Sequence, residues 1–265
     1  MIVSMLTMLG LSIFFAGILF FANKKLKVEE DLKIEKINDL LPGVNCSACG
    51  CLSCHDFAEN IVNKNIDPSA CRVISDSNKQ KICNIIGGKI SNSIKKIAVI
   101  HCSSKTEHKK AIAEYKGVKS CRSANFVFGR GMECQYGCIG FGDCVNVCSF
   151  GALEIKNGLV EVDNEKCVGC GKCVDICPRK IITIEEKKEG KNFYVKCNSK
   201  DSILRVKQIC SVGCIACKIC ERLSKGEIFK VENNLSTFNK ENKNIKDDTV
   251  VELSEKCPVK VIKYI

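Results

Sequence analysis

The sequence predicts an α+β chain whose folded part follows a membrane-spanning helix. Three observations predict it. Ile2 to Ala22 form an uncharged apolar run, several loops carry cysteines every three to six residues, and short alternating strands flank turn residues.

The apolar run is 21 residues long. At about 1.5 Å per residue it can cross a hydrocarbon core of about 30 Å. Lys24, Lys25, Lys27 and Lys33 follow it and no Lys or Arg precedes it. That asymmetry predicts a single-pass anchor in the plasma membrane with the bulk of the chain in the cytoplasm. A cleaved signal peptide fits less well, because a basic n-region and an A-x-A-like site are both missing. Residues 1–23 are therefore read as the anchor. Residues 24–41 are read as a linker or amphipathic helix, with Leu26, Leu32, Ile34, Ile37, Leu40 and Leu41 as its apolar set.

The chain has 22 cysteines, no tryptophan and only four prolines. In a secreted chain this would read as disulfides. Here the cysteines cluster at metal-ligand spacings, which in a reducing compartment favours metal. Residues 42–80 contain Cys46-x2-Cys49-x4-Cys54-x16-Cys71, a complete four-ligand set. A helix over 56–65 would carry the chain to Cys71, and Cys51 is an extra thiol. Residues 81–130 read as a connecting segment with a strand over 95–102 and three isolated cysteines, Cys83, Cys102 and Cys121.

Residues 131–196 carry two runs, Cys134-x3-Cys138-x5-Cys144-x3-Cys148 and Cys167-x2-Cys170-x2-Cys173-x3-Cys177-Pro178. The second has the spacing of bacterial ferredoxins, in which the last cysteine ligates the neighbouring cluster. Zinc sites use two separated pairs rather than such triplets. The runs therefore predict a two-cluster module in which each run lends its last cysteine to the other. Alternating residues around Asn157-Gly158 predict a hairpin over 151–163. Tyr136, Phe141 and Phe150 are candidates for shielding the clusters from water.

A shift of 76 residues lays Cys134, Cys138 and Cys144 on Cys210, Cys214 and Cys220, and Leu159 on Leu235, while Cys148 falls on Ser224. KCPVKVI (256–262) echoes ICPRKII (176–182). Residues 197–265 thus read as a degenerate, one-cluster copy whose ligands are Cys214, Cys217, Cys220 and Cys257. In place of a second cysteine loop it has KENKNIKDDTVVELSE (240–255), which reads as polar and mobile. Cys102, Cys121, Cys197 and Cys210 are left over, and spacing alone does not decide whether they form a further metal site.

The formal charge is +11. Each oxidised cubane with its four thiolates carries about −2, so four would leave roughly +3. The lysines therefore do not call for a nucleic-acid partner. A G-x-G-x-x-G fingerprint is missing, and the three histidines (His55, His101, His108) form no nucleophile constellation. With no charge inside its one anchor, the chain offers no ion path of its own.

The order of an anchor, LPGVNCSACGCLSC, CQYGCIGFGDCVNVCSFGAL, CVGCGKCVDICP and CSVGCIACKIC resembles the B subunit of the Rnf complex over nearly the whole chain. The resemblance implies a membrane-bound, ion-translocating ferredoxin:NAD oxidoreductase. In it this subunit takes electrons from soluble ferredoxin and passes them through [4Fe–4S] clusters to membrane, flavin-carrying and iron–sulfur partner subunits. It implies one cluster on Cys46, Cys49, Cys54 and Cys71, another on Cys134, Cys138, Cys144 and Cys177, and a third on Cys148, Cys167, Cys170 and Cys173. With the degenerate copy, four clusters are expected. His55, Ser149 and the truncated second module depart from the family pattern. Alternative readings are an anchored polyferredoxin that reduces a different acceptor, such as a redox-sensing regulator, and a zinc-binding scaffold.

Overall fold

A computed structural model describes residues 2–26, 31–88, 94–187, 190–239 and 247–265. Helix α1 (Ile2–Leu26) has its large apolar side chains, among them Phe14, Phe20 and Phe21, exposed to the surroundings. Its stretch Ser4–Lys25 has a mean hydropathy of 2.2 and is long and apolar enough to cross a membrane. Lys24 and Lys25 sit in its last turn, where they complement the helix dipole.

Helix α2 (Leu32–Leu40) begins at Asp31, whose carboxylate accepts from the Lys33 backbone N at 2.9 Å. Of residues 24–41, expected to be a linker or an amphipathic helix, Leu32–Leu40 is helical and residues 27–30 lie outside the described ones. Ile34 and Ile37 are buried against α3 (Cys54–Lys64) and α4 (Asp76–Ile86). Phe57, Ala58, Ile61 and Ile82 complete that core. Ser53 caps α3 by accepting from Asp56 N at 3.0 Å, and Asn78 Nδ2 donates to Leu40 O at 2.9 Å, tying α4 to the end of α2.

The rest of the described chain is two copies of one plan. In the first, strand β1 (Lys96–Ile100) pairs antiparallel with β4 (Ile182–Glu186), Lys96 opposite Glu186 and Ile100 opposite Ile182. The hairpin β2 (Leu153–Lys156) and β3 (Leu159–Val162) lies between them in sequence. Asn157 and Gly158 both have positive φ, as the predicted two-residue turn requires. Ile97, Ile100, Leu159, Ile181 and Ile182 form the core of this module. The strand expected within a connecting segment is thus a structural part of the module, so the module starts before residue 131.

In the second copy β5 (Phe193–Val195) pairs with β8 (Ile262–Tyr264), and β6 (Phe229–Glu232) with β7 (Leu235–Phe238). Asn233 and Asn234 supply the positive-φ turn. The segment expected to be polar and mobile is different in its C-terminal part. Asp247–Glu255 is a helix, with Val250 and Leu253 buried against Phe229 and Ile262. Its apolar residues Val250, Val251 and Leu253 fall on one face, which the high proportion of charge nearby conceals in the sequence. Residues 240–246 lie outside the described ones.

Candidate iron–sulfur sites

The N-terminal domain gathers its four thiols at the mouth of α3. Asn45 and Ser47 take the left-handed conformation, which curls the loop, and Asn45 Oδ1 accepts from Cys54 N at 2.7 Å. Burial raises the pKa of the Cys71 thiol, and the neighbouring thiols of Cys49 and Cys46 raise it further. Cys51, the extra thiol, lies in the apolar core of the same domain and is within 3.6 Å of Asn60 Nδ2.

Cys148, Cys167, Cys170 and Cys173 line one cavity of about 340 Å³ together with Phe150. The backbone N of Ala98 on β1 points at Cys167 Sγ from 3.3 Å, a donor of the kind that tunes a cluster. Burial pushes the Cys173 thiol up to about 12, with the thiols of Cys170 and Cys167 adding to it. Cys170 is raised by burial and then by Cys46 of the N-terminal domain. These two sites are therefore neighbours. Arg72, next to Cys71, donates through Nη1 to the carbonyl of Gly169 inside the Cys167–Cys170 loop.

Of the foursome expected on Cys134, Cys138, Cys144 and Cys177, the structure brings Cys138 and Cys177 to Cys144 together with Cys121. Burial pushes Cys144 up to about 12, and the thiols that add to it are Cys138, Cys121, Cys177 and Cys173. Cys134 instead lies near Cys102 and Cys210. Cys121 opens helix α5 (Cys121–Phe126), which is held to the cysteine loop by Asp143. Asp143 Oδ2 accepts from Ser120 Oγ at 2.8 Å and from Arg122 N at 3.0 Å. Burial is the largest single influence on the Asp143 carboxyl and raises it, but the backbone N–H groups of Arg122 and Cys121 and the Ser120 hydroxyl together outweigh it and hold the carboxyl below the usual range.

The repeat gives a reason for a thiol to stand where Cys121 does. Cys217 of the second copy falls 76 residues after Phe141, so the first copy lacks a thiol where the second has one. Phe141 packs instead against Tyr115, ring centroids 5.7 Å apart, under the guanidinium of Arg130. Cys121, on α5, lies near Cys144 on this side. Its signal in the sequence is the C-x5-C spacing, which is C-x2-C-x2-C with its middle cysteine replaced.

Cys214, Cys217, Cys220 and Cys257, the four expected in the second copy, line one cavity of about 360 Å³. Cys220 Sγ is 3.2 Å from Ser236 Oγ, and burial raises its thiol pKa, with Cys214 and Cys217 adding to the effect. Cys83 is buried on α4 apart from these groups.

The donor set fits iron–sulfur clusters. Among the described residues no three Cys, His, Asp or Glu side chains converge closely enough to hold a single metal ion. Cys148, Cys167, Cys170 and Cys173 instead line one cavity and Cys214, Cys217, Cys220 and Cys257 another, which is the arrangement a multi-iron cluster needs. The Arg179 guanidinium lies near Cys134 and Cys177, and its Nε and Nη2 are buried with no hydrogen-bond partner. A buried cation left with free donors beside thiols is placed to meet cluster sulfides. Gly129, at φ +56°, gives it room, since a Cβ there would collide with Arg179.

Thiols gathered in this way define an iron–sulfur electron-transfer protein. Two family models agree: "Putative Fe-S cluster" matches residues 41–73 and "4Fe-4S binding domain" matches residues 160–183. Over 92% of its length the chain is 36% identical to the B subunit of the Na(+)-translocating ferredoxin:NAD(+) oxidoreductase complex of Acetobacterium woodii, covering 72% of that protein. It is 31% identical to the B subunit of the ion-translocating oxidoreductase complex of Methanosarcina acetivorans, over 90% of both chains. To the B subunit of the proton-translocating ferredoxin:NAD(+) oxidoreductase complex of Clostridium ljungdahlii it is 33% identical, over 89% of this chain and 82% of that one. The chain belongs to this family, the B subunits of the Rnf-type ion-translocating oxidoreductase complexes.

Proposed function

We propose that the chain carries electrons from reduced soluble ferredoxin through [4Fe–4S] clusters to the membrane, flavin-carrying and iron–sulfur subunits of such a complex. It has no substrate-converting site of its own. The observation that carries this reading is the succession of thiol groups in space. Cys46 neighbours Cys170, and Cys173 neighbours Cys144. The proposed ligands are Cys46, Cys49, Cys54 and Cys71; Cys148, Cys167, Cys170 and Cys173; Cys121, Cys138, Cys144 and Cys177; and Cys214, Cys217, Cys220 and Cys257. A bound cubane supplies one-electron transfer. The protein's part is to hold it, to exclude water with residues such as Phe150, and to aim backbone donors such as Ala98 N at its sulfurs.

Helix α1 anchors the chain, and the lysines that follow it favour the cytoplasmic side for everything beyond. The one helix apolar enough to span among the described residues supports a single pass. Membranes from cells lacking this chain should lose ferredoxin-dependent NAD reduction while keeping NADH-linked dye reduction by other subunits. Undiminished ferredoxin-dependent reduction would overturn the reading and favour an anchored polyferredoxin serving a different acceptor.

A further inference from the structure

Of the six cysteines outside the four proposed ligand sets, Cys51 and Cys83 lie in the N-terminal domain and the others are Cys102, Cys134, Cys197 and Cys210. All four line a single cavity of about 500 Å³ between the two modules. They reach it in matched pairs. Cys102 follows β1 and Cys197 follows β5, the equivalent strands of the two copies. The Cys138 backbone N points at Cys102 Sγ from 3.4 Å, and Cys214 N points at Cys197 Sγ from 3.3 Å. Cys138 and Cys214 are themselves equivalent under the 76-residue shift.

Cys134 and Cys210 are the second equivalent pair, and each is followed three residues later by a glycine, Gly137 and Gly213. A Cβ on Gly137 would lie 3.4 Å from Cys134 Sγ and 3.9 Å from Cys102 Sγ, and one on Gly213 would lie 3.6 Å from Cys210 Sγ. Each glycine thus lets the backbone pass close to the cysteine three residues before it. The two halves are joined at this place by His101, whose Nδ1 is 2.8 Å from Val195 O, and by a bridge between Lys109 and Cys210.

We propose that Cys102, Cys134, Cys197 and Cys210 hold a fifth [4Fe–4S] cluster at the joint between the modules, each module giving two thiolates. The thiols line the cavity as those of the Cys148–Cys173 and Cys214–Cys257 sets line theirs. Lys109 and Lys196 line it, and the unpaired nitrogens of Arg179 lie near Cys134, so positive charge is at hand to offset a cluster. The site also completes the succession. On one side it shares the Cys138 backbone with the Cys121–Cys177 set, and on the other it shares the Cys214 backbone with the last set. The inference rests on the proposed iron–sulfur function but is tested separately from it.

The test uses the full-length chain purified without oxygen. Iron, acid-labile sulfide and zinc are counted, and native mass spectrometry gives the cluster number. About 20 irons and as many sulfides per chain are expected, falling to about 16 in Cys102→Ser and in Cys197→Ser. A wild-type chain with about 16 irons, unchanged in both variants, would overturn the fifth site and leave electron transfer standing. One zinc per chain, lost in the variants, would overturn it as well. Near absence of iron and sulfide would sink the electron-transfer reading itself. A variant that fails to fold loses all its iron rather than four, and the wild-type count then decides.

Discussion

Arg72 donates a hydrogen bond to the carbonyl of Gly169, joining the residue after Cys71 to the loop between Cys167 and Cys170. Gly169 has φ +63°, and a Cβ there would lie 2.6 Å from the carbonyl oxygen of Lys96, so the loop is wedged between β1 and Arg72. The contact sets the N-terminal thiols beside those of the first module.

Arg72→Ala should therefore weaken the docking of the two domains without emptying either site. A hydrogen bond from a charged group contributes about 1.5–3 kcal/mol, and partial exposure reduces this to about 1 kcal/mol. The expected outcome is unchanged iron content, faster proteolysis between residues 72 and 96, and slower reduction of the N-terminal cluster in a rapid-mixing experiment. Wild-type cleavage and reduction rates would contradict this role for Arg72.

The proposed place of Cys121 in the ligand set, in the stead of Cys134, makes a sharper prediction. Cys121→Ser should lose about four irons, whereas Cys83→Ala, which removes a buried thiol apart from every set, should lose none. Adding Phe141→Cys to Cys121→Ser should restore the iron, because Cys217 occupies the equivalent place in the second copy. Restoration should come with a small loss of stability, about 1 kcal/mol, from the broken Phe141–Tyr115 contact. Full iron in Cys121→Ser alone would return Cys134 to the set.

These residues also show how far the sequence could be read. The cysteine runs, the Asn157–Gly158 hairpin and the repeat of 76 residues are local patterns with strong chemical meaning, and the structure contains the hairpin and the repeated plan. Cys102, Cys121 and Cys197 were opaque because each stands alone in sequence and reaches its partners only through tertiary pairing. Cys102 does so through β1 against β4, Cys197 through β5 against β8, and Cys121 through Asp143. Helix Asp247–Glu255 was hidden for a related reason. Its charged residues dominate the composition, while only Val250 and Leu253 are buried in the core.

The buried thiols predict a pH dependence that belongs to the iron-free chain. Burial raises Cys144 and Cys173 from 9.0 to about 12. The folded iron-free chain thus keeps protons that the unfolded chain releases above pH 9. This contribution to stability is complete below pH 9 and is lost as the pH rises from about 9 to about 12, at most about 1.4 kcal/mol per thiol per pH unit. The urea midpoint of iron-stripped protein should fall from pH 9 to pH 11, and that of the loaded protein should fall less, since its thiolates are already committed. Equal slopes for the two forms would refute the account.

The place of α2 predicts where the chain can be shortened. Its Ile37 is fully buried and its Ile34 is 8% exposed, both against α3 and α4, and Asn78 holds the carbonyl of Leu40. Helix α1 buries nothing inside the described protein. A chain that starts at residue 31 should therefore leave the membrane fraction, stay soluble and keep its full iron. A chain that starts at residue 42 loses two buried isoleucines, each contributing about 2–5 kcal/mol, which is a large part of what a domain this small can hold. It should lose about four irons from the Cys46–Cys71 site while the two modules, whose cores contain no residue of α2, stay loaded. Iron counts on the two truncated chains decide the matter. Full iron in the shorter one would mean that α2 is only a tether between membrane and domain.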